Sequence, residues 1–223
     1  MRLAKRRGYA AFVCLCALGV VWRAEAVDGA ASEPAAAARQ VLEAAGVRGG
    51  LVVHLGCGDG QLTAELRASE SFLVQGLDTS AEKVAAARQH VAERGLYGEV
   101  TARQFDGKRL PFADGAFRTV VSNSIVHHIP DPRTVLAEAW RVAAPGGLLF
   151  FRDLFRPGDE TTLRRLVDAY AVGATEHQRQ MLADSLHAAL TVEEVQGLVA
   201  ELGAPRNGVR ATSDRHWTWE ARK

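Results

Sequence analysis

The stretch Leu51-Val-Val-His-Leu-Gly-Cys-Gly-Asp-Gly60 constrains this chain more than any other: a strand-like run passes without a break into glycines at alternate positions, and a helical pattern follows. Gly56, Gly58 and Gly60 allow positive φ and let the chain lie close to a ligand, while the start of the next helix offers free N–H groups. A plain turn accounts for one glycine, not three. The loop they form includes Cys57, and the strand that feeds it includes His54. Dinucleotide-binding folds place their third glycine one position later, where this chain has Gln61, so the spacing disfavours a cradle for pyrophosphate.

From Gly49 onward, short β-branched runs alternate with longer amphipathic stretches, the pattern of a parallel sheet with helices on both faces. Strands are expected at Leu51–Leu55, Phe72–Leu77, Val100–Phe105, Phe117–Ser122 and Leu148–Arg152. Helices are expected at Leu62–Arg67, Ala81–Arg94 and Arg133–Val142, the last opened by Asp131-Pro132 as cap and first helical residue. Residues 27–48 read as a lead-in helix and linker, with the helix over Ala35–Ala45 ending at Gly46. After Asp153 comes a helical insertion over about 157–190, then a capping box at Thr191–Glu194, then a hairpin of Gly208–Thr212 and His216–Ala221. Residues 49–223 thus form one domain.

Asp78 closes the second of these strands, 18 residues after Gly60, with Thr79 beside it. A carboxylate there can accept both hydroxyls of a ribose, as any adenosine cofactor requires. Asp106-Gly107 follows the third strand, where the carboxylate can meet an exocyclic amine and the glycine N–H a ring nitrogen; a turn residue before glycine reads the same way.

Taken together, LGCGDG, GLDTS and FDGKRLPFADGAFRTVVSNSIVHHIPDPRTVLAEAWRVAAPGG resemble the class I S-adenosylmethionine (SAM)-dependent methyltransferases of the type 11 group, over Leu51–Asp153. The resemblance implies a Rossmann-like α/β fold with a seven-stranded sheet whose last strand, here His216–Ala221, is antiparallel. It implies SAM as cofactor and S-adenosylhomocysteine as product. It further implies Gly56, Gly58 and Gly60 around the methionine part of SAM, Asp78 on the ribose, and Asp106 with Gly107 on the adenine. The group usually has an acid two residues before the first glycine, where it helps orient the cofactor's amino-acid end; His54 stands there instead and is taken, with Cys57 and Thr79, as a further cofactor-binding candidate.

Methyl transfer from a sulfonium is an in-line displacement, so alignment carries most of it and a base matters only for a protonated nucleophile. Candidates at the C-terminal edge of the sheet are Asn123, His127, His128 and Asp153. Asn123 is placed toward the cofactor; His127, His128 and Asp153 are the catalytic candidates. Asp153 also reads as a helix cap, and Trp217 and Trp219 as packing residues. A SAM-fold module without catalysis, and an oxidoreductase using an adenosine cofactor, stay open beside methyl transfer to a small-molecule acceptor.

The first 26 residues differ in kind: basic MRLAKRR, an apolar run from Ala10 to Trp22, then Ala24-Glu25-Ala26. These are the three zones of a secretory signal, too short in its apolar part to span a membrane comfortably. The expectation is cleavage before Val27 and export, with the cytoplasm, where SAM is available, as the alternative; membrane contact is limited to this segment. The formal net charge of +1 hides an asymmetry, because residues 1–26 carry five basic residues and one acid, leaving 22 against 25 in the remainder. That balance gives no nucleic-acid footprint. Of three cysteines, Cys14 and Cys16 lie in the signal-like segment, and no spacing of Cys and His suggests a metal site.

Overall fold

The computed structural model describes residues 10–15, 33–123 and 126–223. In chain order the strands are β1 (Ala10–Leu15), β2 (Gly50–Leu55), β3 (Phe72–Asp78), β4 (Val100–Gln104), β5 (Phe117–Asn123), β6 (Ala143–Leu154), β7 (Val209–Ala211) and β8 (His216–Arg222). The helices are α1 (Glu33–Ala45), α2 (Gln61–Glu65), α3 (Ala81–Glu93), α4 (Pro132–Val142), α5 (Glu160–Tyr170), α6 (Glu176–Ala188) and α7 (Val192–Glu201), with a 3-10 turn at Val126–His128. None of these helices is long and apolar enough to cross a membrane.

Among the described residues, eight strands join one sheet in the order β4-β3-β2-β1-β5-β6-β8-β7. Strands β1 to β6 run parallel, and β8 lies antiparallel between β6 and β7. The count corrects the expected seven: Ala10–Leu15, inside the apolar run read as the core of a signal, pairs in parallel with β2 on one side and β5 on the other. A buried parallel strand and a signal core are both unbroken apolar runs, so the same sequence satisfies either. Residues 1–9 and 16–32, including the cleavage-site pattern at Ala24–Ala26, lie outside the described residues.

Period-two alternation sends each strand's residues to opposite faces. On one face Val53, Val120, Leu149, Phe151, Trp217 and Trp219 pack against Leu136, Ala139 and Val142 of α4 and Val195 and Val199 of α7. On the other, Val52, Val74, Val100 and Val121 meet Ala38, Leu42 and Ala45 of α1 and Val91 of α3. Trp219 is fully buried, stacked on Trp140 with ring centroids 6.0 Å apart and tilted against Phe151 at 5.5 Å. The C-terminal tryptophans are therefore packing residues, as their place on an alternating strand implies.

Local chemistry fixes the helix starts. Asp131 caps α4 with Pro132 behind it, Asp159 accepts from Thr162 N (2.7 Å) at α5, and Thr175/Gln178 and Thr191/Glu194 form capping boxes at α6 and α7. Asp159 being the cap of α5, Asp153 is not one; it is the penultimate residue of β6. Helices α5 and α6 close a separate small core of Leu163, Leu166, Val167, Leu186 and Ala189 onto Leu154 at the end of β6.

Candidate functional site

Strands β2, β3, β5 and β6 all point the same way, so the turns after them gather at one edge of the sheet. The glycine turn is the first part of that edge. Gly56, Gly58 and Gly60 have φ of 69°, 54° and 86°, values at which a side chain is strained. Gly56 N and Cys57 N both donate to Leu77 O, at 2.7 and 3.1 Å, which hooks the turn over the end of β3. The glycines differ in what surrounds them. A Cβ at Gly60 would lie 2.8 Å from Ala87 Cα, so this glycine lets α3 pack; a Cβ at Gly58 would meet nothing closer than 4.0 Å and leaves room for a ligand.

Asp78 ties the turn to the next helix. Its Oδ2 accepts from Gly58 N at 3.2 Å and its Oδ1 from Ser80 N at 2.9 Å, while Ser80 itself caps α3. The carboxylate is buried, and each oxygen keeps acceptor capacity beyond its one backbone bond. Cys57, also buried, packs with Val84, Ala87 and Ala102; burial and the neighbouring Asp78 push its thiol up to about 11, so its contribution to the edge is backbone.

Asp106 and Gly107 stand beside this pair. Asp106 Oδ1 accepts from Lys108 N (2.9 Å) and Arg109 N (3.2 Å), bonds that hold its carboxyl below the usual range and make it a turn former. Gly107, at φ 75°, lies against Thr79, whose Cγ2 would be 2.9 Å from an added Cβ. Thr79 is exposed, and its carbonyl accepts from Gln104 Nε2 at 2.9 Å. The loop that follows is held by residues the sequence pattern does not reveal: Glu138 accepts from Leu110 N (2.7 Å), and Arg141 donates to Leu110 O, Phe112 O and Asp114.

His54 does not join the open edge. It is buried, with Nδ1 2.8 Å from Thr63 Oγ1 of α2, and so braces the short helix after the glycine turn against β2.

The second part of the edge lies after β5 and β6. Asn123 ends β5 in register with Arg152; its side chain is outside the described residues. His127 Nδ1 forms a short hydrogen bond to Asp153 Oδ1, and both side chains are buried. Asp153 also accepts from Val126 N (2.5 Å) and Leu154 N (2.7 Å), so two backbone N–H groups satisfy the buried carboxylate. His128, exposed, leans on His127 with ring centroids 3.9 Å apart, and partial desolvation, together with the neighbouring ring, lowers its pKa. The structure thus brings His127, His128 and Asp153 together. A groove of about 400 Å³ between α5 and α6, lined by Glu160, Arg164, Asp168 and Arg179 among others, includes none of these groups.

A parallel sheet with this glycine turn, an acid closing the adjacent strand and a polar cluster after the fourth and fifth crossovers defines a class I SAM-dependent methyltransferase fold. Residues 53–151 match the family model for the methyltransferase domain, the type 11 group that the sequence motifs resemble. It is 36% identical over 116 residues to a ubiquinone biosynthesis O-methyltransferase of Cronobacter sakazakii, covering 51% of this chain and 46% of that one. Over 100 residues it is 41% identical to a phosphatidylethanolamine N-methyltransferase of Cereibacter sphaeroides, covering 45% and 48%. The chain spans about half the length of these relatives. Among solved structures, a SAM-dependent methyltransferase from Aquifex aeolicus superposes with a TM-score of 0.56 at 19% identity, covering 82% of this chain and 88% of that one, a likeness of fold.

Proposed function

We propose that this protein transfers a methyl group from SAM to a small-molecule acceptor, releasing S-adenosylhomocysteine. The observation that carries the reading is the Gly58–Asp78 hydrogen bond, which holds a glycine with open space on its Cβ side beside a buried carboxylate with acceptor capacity to spare. Gly56 and Gly58 would receive the methionine end, Asp78 the ribose hydroxyls, and Asp106 with Gly107 the adenine. The cofactor supplies an electrophilic methyl on a sulfonium. The chain's own part is to align the acceptor and, for a protonated nucleophile, to take its proton.

His127 is suited to that proton transfer. Donation from Nδ1–H to Asp153 leaves Nε2 with a lone pair, the tautomer a base needs. Helices α5 and α6, seated on Leu154 beside Asp153, would cover the acceptor and set specificity. The two relatives methylate oxygen and nitrogen by name, which supports the reaction class and leaves the acceptor atom to experiment.

Calorimetry with SAM and S-adenosylhomocysteine tests the reading, with NAD as control. Both sulfur compounds should bind and NAD should not. Binding of neither would favour a scaffold role for the fold, and binding of NAD alone an oxidoreductase.

A further inference from the structure

Arg152 precedes Asp153 on β6 and pairs in register with Asn123 of β5 and Thr218 of β8, so it lies at the same sheet edge but on the opposite face from Asp153. Its guanidinium is half-buried, and among the described residues no carboxylate meets it. Its one described side-chain partner is His216 Nδ1, 3.0 Å from Nη2.

That partner is neutral. Burial and the charges of Arg152 and Arg215 push His216 down to about 4, and Ser213 Oγ, 2.9 Å from Nδ1, helps to seat the ring. Arg215 is already balanced: Asp214 lies 3.3 Å from its Nη1, and its guanidinium sits 3.3 Å over the Tyr170 ring. Among the described residues, Arg152 alone of this cluster is a positive charge taken partly out of water with no carboxylate in contact with it. Part of its hydration is lost there, and a bound anion would replace it.

We infer that Arg152 is an anchor for an oxyanion, a carboxylate or phosphate, carried by the methyl acceptor. A guanidinium offers parallel donors in a planar fork matched to both groups, and His216 holds that fork by one N–H while leaving the others for the ligand. The position suits an acceptor whose anionic end is fixed on one face of β6 while its nucleophile reaches the edge near His127. This inference rests on the methyl-transfer reading for the ligand's identity, and not for its charge.

Thermal unfolding of the full chain tests it, with sodium acetate, sodium phosphate and sodium chloride compared at matched ionic strength, on wild type, Arg152→Met and Arg152→Lys. Acetate or phosphate near ten times its Kd should raise the wild-type Tm by about 3 °C over chloride. Arg152→Met should lose that response and Arg152→Lys keep part of it. The more effective anion identifies the acceptor's group. Equal responses in wild type and Arg152→Met, or no response of wild type to either anion, would overturn the assignment; should Arg152→Met not fold, a response of Arg152→Lys equal to wild type would do the same. S-adenosylhomocysteine affinity, measured in parallel, should be unchanged in both variants. Its absence in wild type with the anion response intact would remove the methyl-transfer reading and leave the anion site standing.

Discussion

Asp153 Oδ1 holds the Nδ1–H of His127 across the gap between β6 and the 3-10 turn after β5, and the same carboxylate accepts the N–H of Val126 and Leu154. One buried acid therefore fixes both the ring and the turn that carries it. Asp153→Asn presents an amide to those donors and removes the preference for a lone pair on Nε2. For an acceptor whose nucleophile is protonated, kcat should fall by about 10²–10⁴-fold, while SAM affinity stays within about twofold. Unchanged kcat in a folded variant would remove His127 from the chemistry.

His216 sets a second expectation, in stability. In the unfolded chain it takes a proton near pH 6.5, and in the fold only near pH 4, because burial and then the charges of Arg152 and Arg215 oppose protonation. Its contribution is fully present above pH 6.5 and is lost as pH falls toward 4, a loss of about 3 kcal/mol. Urea unfolding of wild type and His216→Asn across pH 7 to 4 checks this: the difference between them should narrow by about that amount on the acid side. Parallel pH profiles would show that the ring is not held neutral by the fold.

What the sequence discloses and what it hides follow from distance along the chain. The glycine turn, Asp78 and the alternation of β3 to β6 are readable because each is a local pattern, and the structure extends β3, β5 and β6 by one or more residues so that Asp78, Asn123 and Asp153 fall within strand ends. The early start of β6 at Ala143 is hidden by Pro145-Gly146-Gly147, which reads as a loop. Contacts across the fold are not readable at all: His54 with Thr63 needs the packing of α2 on β2, and Arg152 with His216 needs the antiparallel register of β6 with β8. His54, read from its place beside the glycines as a cofactor residue, is for this reason a brace in the structure.

The N-terminal strand leads to a third expectation. Val53 of β2 and Val120 of β5 both pair with Phe12, and both belong to the core under α4 and α7. Removing β1 and closing the sheet by one strand spacing, about 5 Å, would pair Val53 with Val120 directly and keep every side chain on its face. We propose that residues 1–26 act as a signal and are cleaved before Val27, and that the remaining chain folds with seven strands. Mass spectrometry of the mature protein should give Val27 as its first residue, and hydrogen exchange on a chain starting there should show Val53 and Val120 protected. An unfolded Val27–Lys223 chain would make β1 an obligate part of the sheet.

The most direct test of the account is SAM affinity in Asp78→Ala, measured by calorimetry alongside stability by urea unfolding. Losing the bonds to Gly58 N and Ser80 N should cost about 1–3 kcal/mol of stability. If the carboxylate also receives the ribose hydroxyls, affinity should fall at least tenfold, since about 1.4 kcal/mol already gives that factor and a charge-assisted bond contributes about 1.5–3 kcal/mol. A folded Asp78→Ala protein, less stable yet binding SAM as wild type does, would contradict the assignment of this edge as the cofactor site.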